Sequence, residues 1–381
     1  MKNSMKRFVF VSAATVMGIA LVLVFVFLGK QTSGPISGAL DALGNKIIEV
    51  EQDYLLSQRE PIRSKELAWF QPYRHNIELM KNPDTIFLGV YENNYLQSFD
   101  KIINLDESLK STLPLIQIYT AWGDKDREKF PAIYAKTIYD LGSMPIITWE
   151  PWLNDFDREK HNLHAVADPN VAGMSTVARG DYDFYIEEWA HEIAAFEHNI
   201  FIRFGHEMND PYRYPWGPQN NEPKDFVAAW QHVVNKFREL GVDNVIWIWA
   251  PQPAYLRYAE YYPGDEYVDW IGVGTLNYGT VASWSKWWTF KDIYGNYYDW
   301  LDMLDKPMMI TEMGCLRVGG NREEWFRNAL TDLPAKYPRL KAIILFNDDD
   351  DKTTLNKSLN WSIINDTSTC EVIRQTIKDT W

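Results

Sequence analysis

"IFIRFGHEMNDPYRYPWG", residues Ile200–Gly217, opens as an apolar run and then places His206, Glu207 and Asn209 within four positions. A short run rich in Ile and Phe, closed by glycine, reads as a buried strand that stops where polar side chains begin. The same layout recurs along the chain. Apolar or β-branched runs lie at Ile86–Tyr91, Leu115–Ala121, Pro145–Trp149, Ile200–Phe204, Val245–Ala250, Trp270–Val273, Met308–Thr311 and Ala342–Phe346. Helical spacing separates most of them, clearest at Asp181–Phe196 and at Lys224–Leu240, where Gly241 supplies a stop signal. Pro131–Leu141, Arg322–Leu333 and Cys370–Ile377 also read as helices, while the link from the fifth run to the sixth holds at most a short helical turn. Eight strands alternating with helices predict an α/β fold of the (β/α)8 TIM-barrel type, with functional loops at the C-terminal strand ends. A doubly wound sheet is the alternative. It calls for a glycine-rich phosphate turn after the first strand, and "FLGVYENN" has none.

The chain has 381 residues, 46% of them hydrophobic and 15% aromatic, with 17 Trp and 21 Tyr, enough for one large core with rings to spare. A formal net charge of −14 argues against a nucleic-acid partner, which wants a basic face. Lys2, Lys6 and Arg7 precede the uncharged apolar run Phe8–Leu28, long enough to cross a bilayer as one transmembrane helix. The run exceeds the core of an ordinary signal peptide, and Gly29–Thr32 offers no clear cleavage site. The expectation is an uncleaved membrane anchor with the remainder extracytoplasmic, at the cell surface or in the periplasm. This divides the chain into an anchor (residues 1–30), a tether with a lead-in helix (31–74, helical from Ile47 to Leu56) and a barrel (75–381). Cys315 and Cys370 are too few for a disulfide framework; two unpaired thiols are expected, with pairing the other possibility. Oligomeric state is not legible.

Reading the strand ends in order gives Glu92, Glu150, Glu207 and Glu312, then the acidic run Asp348–Asp351. Any one of these could be a solvated loop carboxylate. Repeated placement just past apolar strands is the informative feature, because an unpaired carboxylate is costly to bury. Glu207 after the fourth strand and Glu312 after the seventh can face one another across a barrel mouth. Retaining glycoside hydrolysis uses such a pair about 5–5.5 Å apart, one as acid/base and one as nucleophile. Alternation places Arg203 and Glu207 on one face and His206 on the other, unless the strand ends at Gly205.

"RFGHEMNDPYRYPWG" closely resembles the acid/base segment of glycoside hydrolase family 26, the family of many β-mannanases. "VIWIWAPQP", "YYPGDEYVDWIG" and "KPMMITEMG" resemble that family's fifth, sixth and seventh strands in the right order, and the resemblance covers roughly Ile86 to Ile364. It implies that Glu207 is the acid/base, Glu312 the nucleophile and Trp216 a sugar-stacking ring. It suggests a retaining, endo-acting hydrolase of a β-linked polysaccharide, with β-mannan first and mixed-linkage β-glucan or β-xylan next. The family usually carries a tyrosine after its sixth strand, close to the nucleophile. Here an ungapped reading of "DWIGVGTLNYGT" puts Leu276 there, with Asn277 and Tyr278 beside it, so either Tyr278 substitutes through a shifted loop or that hydrogen bond to the nucleophile is absent.

A sugar has an apolar face and a rim of hydroxyls, so it calls for aromatic platforms and polar side chains. Trp149, Glu150 and Trp152 in "TWEPW" form a second such cluster, while Trp249 is as well explained by strand packing. His206, Arg203, Asn209, Trp216, Asn277, Tyr278 and Asn347 complete the expected substrate contacts. No metal or cofactor is expected: Asp348–Asp351 fits no calcium loop, and His161 with His164 lacks accompanying carboxylates. The absence of a Gly-x-Ser-x-Gly elbow leaves an esterase unsupported. A membrane-tethered binding or polysaccharide-assembly protein on a degenerate barrel is the competing function.

Overall fold

The computed structural model describes residues 35–93, 98–354 and 358–381. Eight parallel strands close into a barrel in sequence order: β1 (Phe87–Tyr91), β2 (Leu115–Ala121), β3 (Met144–Glu150), β4 (Ile200–Phe204), β5 (Val245–Trp249), β6 (Trp270–Asn277), β7 (Met308–Cys315) and β8 (Leu340–Phe346). Every predicted strand is present. β6 and β7 run longer than expected, so Glu312 lies within β7 rather than beyond it. The helices Ala132–Asp140, Asp183–Phe196, Pro223–Glu239, Arg322–Lys336 and Thr367–Thr380 sit where helical spacing placed them. Between β5 and β6 there are only single turns, the longest Tyr258–Tyr261.

Alternation along each strand sorts side chains into two layers. Leu88, Val90, Ile116, Ile118, Ile202, Phe204, Trp247 and Ile310 face outward and pack on the helices. Phe87, Leu115, Met144, Ile146, Phe201, Ile246, Ile248 and Ala342 fill the interior. The lead-in segment and the short helix after it join this inner cluster: Leu67, Phe70 and Met80 are fully buried in it, and Trp270 Nε1 donates to the Met80 carbonyl at 3.0 Å. The lead-in therefore floors the barrel. Arg63 pins it, donating to the carbonyls of Leu141 (2.8 Å) and Leu113 (3.1 Å) and pairing with Asp106. Toward the other end the inner face turns polar, through Gln117, Tyr119, Thr148, Arg203 and Thr311. The floor is dry and the mouth carries hydrogen-bonding chemistry.

The chain divides at Tyr54 and Leu55 into two compact units. The described residues of the first all belong to helix Pro35–Glu66, so the stretch read as a tether is helical from Pro35 onward. The proposed anchor Phe8–Leu28 lies outside the described residues. Among the described residues, no helix is long and apolar enough to cross a membrane. Cys315 and Cys370 are buried free thiols.

Candidate active site

β4 ends at Phe204, and two residues with positive φ follow: Gly205 at +50° and Glu207 at +52°. Glycine tolerates that conformation; a glutamate there stores on the order of 1–3 kcal/mol of strain. Neighbouring strands hold it. The Gly205 N–H donates to the Trp149 carbonyl (3.0 Å) and the Glu207 N–H to the Ala250 carbonyl (2.7 Å). The reversal breaks strand alternation and delivers both His206 and Glu207 to the mouth.

Glu312 arrives by a different device. Val273 and Gly274 on β6 pair with Ile310 and Glu312 on β7, and Ile310 and Met313 pair with Ile343 and Leu345 on β8. One extra residue on β7 makes a β-bulge. Ile310 and Met313 both face the outer layer, which leaves the consecutive residues Thr311 and Glu312 both turned inward. A Cβ built on Gly274 would lie 3.6 Å from Glu207 Oε1 and 3.7 Å from Glu312 Oε2. Both carboxyls thus flank one point, and the glycine keeps it open.

Their surroundings push them apart. Glu312 Oε1 accepts from the Tyr119 hydroxyl and from Arg203 Nη2, each at 2.7 Å. Burial opposes its charge, yet the Arg203 charge and these two donors outweigh burial and hold its pKa below the usual carboxylate value. Glu207 has weaker partners, Gln252 Nε2 at 3.1 Å and Arg213 Nη1 at 3.5 Å. Burial dominates there and pushes its pKa up to about 7, with Arg213 opposing and the charge of Glu312 reinforcing. One carboxyl is kept as an anion and the other as an acid, the division of labour that acid/base chemistry needs at one pH.

The other expected site residues fall into two groups. Glu150, at the end of β3, accepts from Trp152 Nε1 (3.2 Å), lies 4.0 Å from His206 Nε2, and is pushed up to about 6 by burial. His206 Nε2 meets the Tyr214 hydroxyl at 2.9 Å; burial and the charges of Arg203 and Arg213 hold its pKa well below the usual value, so the ring is neutral. Its Nδ1 is buried with no partner among the described residues. Tyr278 is half-buried, edge-on to both Trp361 and Trp284. These line the mouth.

The second group is committed to the protein itself. Arg203 spends Nε on Thr148 (2.9 Å), Nη1 on Thr311 (2.7 Å) and Nη2 on Tyr119 and Glu312. Asn209 ties the loop after β5, donating to the carbonyls of Gln252 and Leu256 and accepting from the Gln252 N–H. Asn277 holds the β6 loop through Trp288 and Gly279; Asn347 Oδ1 accepts from the Ile363 N–H, while its buried Nδ2 has no partner among the described residues. Trp149 faces outward among Trp122, Trp189 and Phe204. Trp216 is 1% exposed, stacked on Tyr214 at 4.7 Å, with Trp152 edge-on and Nε1 donating to the His206 carbonyl. Neither of these two indoles offers a free face. Trp249 is buried and bonded to the Tyr261 carbonyl. His161 bonds Asp124 and stacks on Phe184, and no metal-holding cluster occurs among the described residues.

Sequence reasoning missed Tyr119, Arg213, Gln252 and Gly274. Of these, Tyr119 left a signal: Gln117 and Tyr119 alternate with apolar residues in "LIQIYTA", which marks a polar inner face. The exposed rings were missed as well, namely Tyr212, 81% exposed and edge-on to Tyr255, and Trp284, 65% exposed.

Residues 158–337 match the model of glycosyl hydrolase family 26. Endoglucanase H of Acetivibrio thermocellus is 30% identical over 240 residues, 60% of this chain and 24% of that protein. A mannan endo-1,4-beta-mannosidase of Bacillus subtilis is 27% identical over 185 residues, 43% of this chain and 46% of that one. The chain thus spans less than half the length of these relatives. Among solved structures, Bacillus subtilis mannanase man26 has a TM-score of 0.54 at 16% identity, covering 79% of this chain and 86% of that one. A GH26 beta-mannanase from Bacteroides ovatus gives 0.55 at 16% identity, covering 78% and 89%. These two structural likenesses speak to the fold alone. The sequence matches lie over the barrel that carries the Glu207 and Glu312 pair, and over that stretch the chain is similar to glycosyl hydrolase family 26.

Proposed function

We propose that the barrel is a retaining, endo-acting glycoside hydrolase of a β-linked polysaccharide, with Glu207 as acid/base and Glu312 as nucleophile. The observation that carries this reading is the pair of buried carboxyls flanking Gly274 with pKa values displaced in opposite directions. Glu312 attacks the anomeric carbon as an anion, and Glu207 gives its proton to the departing glycosidic oxygen. Glu207 then takes a proton from the water that releases the sugar. β-Mannan is the first choice of substrate and mixed-linkage β-glucan or β-xylan the next. The relatives named above and a beta-1,3-xylanase of Vibrio, 29% identical over 146 residues, support that choice of classes.

A panel of β-mannan, barley β-glucan and β-xylans, assayed for new reducing ends with the full chain, tests the reading. One backbone should be cut internally with retained anomeric configuration. Binding without any new reducing ends would instead favour a binding or assembly protein on a degenerate barrel. The anchor Phe8–Leu28 is part of the proposal, placing the barrel outside the cytoplasm, where it would trim exopolysaccharide at the cell surface. Carbonate-resistant membrane fractionation is expected, and a soluble form beginning near Lys30 would sink the anchor.

A further inference from the structure

Every hydrogen bond to the Glu312 carboxylate among the described residues falls on one oxygen. Oε1 takes Tyr119 and Arg203, while Oε2 takes none and lies beside the open point at Gly274, across from Glu207. We propose that Tyr119 is the positioning residue of the nucleophile: with Arg203 it anchors Oε1 and leaves Oε2 as the attacking atom. This rests on the retaining reading above and adds an atom and a residue to it.

Hydrogen-bond chemistry around Tyr119 fixes the direction of its proton. Its hydroxyl receives Arg203 Nη2 at 2.7 Å and Gln117 Nε2 at 3.3 Å, and both of those groups can only donate. Its lone pairs are thereby engaged, and its one proton is directed to Glu312. Packing alone does not explain the hydroxyl. The ring lies edge-on to Tyr91 at 4.7 Å, which in turn stacks on Phe346, and phenylalanine would fill that space equally well. Burial raises the Tyr119 pKa well above its ordinary value, so the group stays a neutral donor across the working range.

The opposite wall offers no substitute. On β6, Gly274 has no side chain, and Leu276, two residues further on the same face, packs on the cluster of Leu316, Leu359 and Trp361. Tyr278, the first residue after β6, packs edge-on to Trp361 and Trp284 and makes no hydrogen bond to Glu312 among the described residues, and a phenol from β2 reaches that carboxylate from the other side. In the first step the Oε2–C1 bond forms, C1 releases the leaving oxygen, and that oxygen takes the Glu207 proton. Oε1 becomes the carbonyl oxygen of the resulting ester and keeps both donors. In the second step water adds to C1 while giving Glu207 a proton, and the C1–Oε2 bond breaks. The returning charge develops on a carboxylate whose Oε1 is already solvated by Tyr119 and Arg203. The hydroxyl therefore assists departure as well as attack.

Tyr119→Phe in the full chain tests this. The probes are 2,4-dinitrophenyl β-mannobioside and β-cellobioside, with their 2-deoxy-2-fluoro glycosyl fluorides as traps. With the probe that wild type accepts, kcat should fall about 10- to 100-fold, the range expected for a bond to a charged group, with KM within about threefold. Loss of a donor raises the Glu312 pKa, so the acid limb of kcat should move to higher pH. Reactivation of the trapped fluoroglycosyl-enzyme should slow by a similar factor, a step that a packing role would not touch. An unmoved acid limb with wild-type reactivation would overturn the assignment while leaving the retaining mechanism intact. Failure of wild type itself to form an adduct on Glu312 with either trap would instead bring down the retaining reading, and this proposal with it.

Discussion

The two sides of the barrel mouth hold the same residue type under the same burial and reach opposite results. Glu207 is 5% exposed and Glu312 7%. On the β4–β5 side the carboxyl sits on a strained turn with a long contact to Arg213 and one amide, and burial wins. On the β7–β2 side it sits on a bulged strand with two donors at 2.7 Å, and the donors win. Desolvation acts on both alike; the number and closeness of charged or directed donors sets the sign. A strand-end glutamate in a sequence is therefore a candidate for either role, and its neighbours across the barrel assign it.

The largest expected effect breaks the nucleophile side. Glu312→Ala should abolish turnover, and any azide rescue should give product of inverted configuration. Glu207→Ala breaks the acid side and should cost about 10²–10⁴ in rate on polysaccharide. It should cost less on a dinitrophenyl glycoside, whose leaving group needs no proton, and azide should speed turnover with retained configuration. Azide rescue of Glu312→Ala with retention would show the roles to be exchanged.

A smaller effect sharpens the electrostatic side of the comparison. The acid must be protonated, so activity is lost as pH rises through the Glu207 pKa, near 7, and as pH falls through the depressed Glu312 pKa. The Arg213 charge pulls the Glu207 value down. Arg213→Gln should therefore move the basic limb of the pH profile to higher pH, read as kcat/KM on the accepted polysaccharide, whose leaving group needs the proton. The two carboxyls titrate as a pair, so both limbs should be fitted together. A basic limb that moves to lower pH would show that Arg213 does not govern the acid.

Strand order, barrel closure and the facing of Glu207 and Glu312 were legible because period-two burial and strand-end carboxylates follow from local sequence. The β7 bulge was not, since one extra residue leaves no mark on an apolar run. The rings show the same boundary. Thr148 and Glu150 share one face of β3, so alternation alone sends Trp149 to the other face, toward the helices. Trp216 looked like a platform because a proline–glycine turn suggests a rim. Its indole is in fact spent on Tyr214, Trp152 and the His206 carbonyl. Exposure of a ring in a loop depends on tertiary neighbours, and no local pattern carries it.

The smallest expected effect separates a packing ring from a reading ring on the acid/base loop. Trp216 is fully buried, so Trp216→Ala should cost about 3–5 kcal/mol of stability and lower the melting temperature by several degrees. Tyr212 is 81% exposed, edge-on to Tyr255 at 5.9 Å, and lies one residue before Arg213, which touches Glu207. The leaving group departs on the acid side, so the sugar beyond the scissile bond passes this pair of rings. An exposed ring contributes little to the fold and gains its worth by covering an apolar sugar face. Tyr212→Ala should therefore leave the melting temperature within about a degree of wild type. It should raise KM for the polymer about 3- to 10-fold, with kcat on a dinitrophenyl glycoside unchanged, because that leaving group does not reach the ring. Trp284→Ala, on the far side of the mouth, is the matched control for an exposed ring beside Tyr278. Equal KM changes in both variants would mean that the polymer spans the whole mouth. A change confined to Trp284→Ala would move the leaving-group path to the β6 side and overturn the placement argued from Glu207.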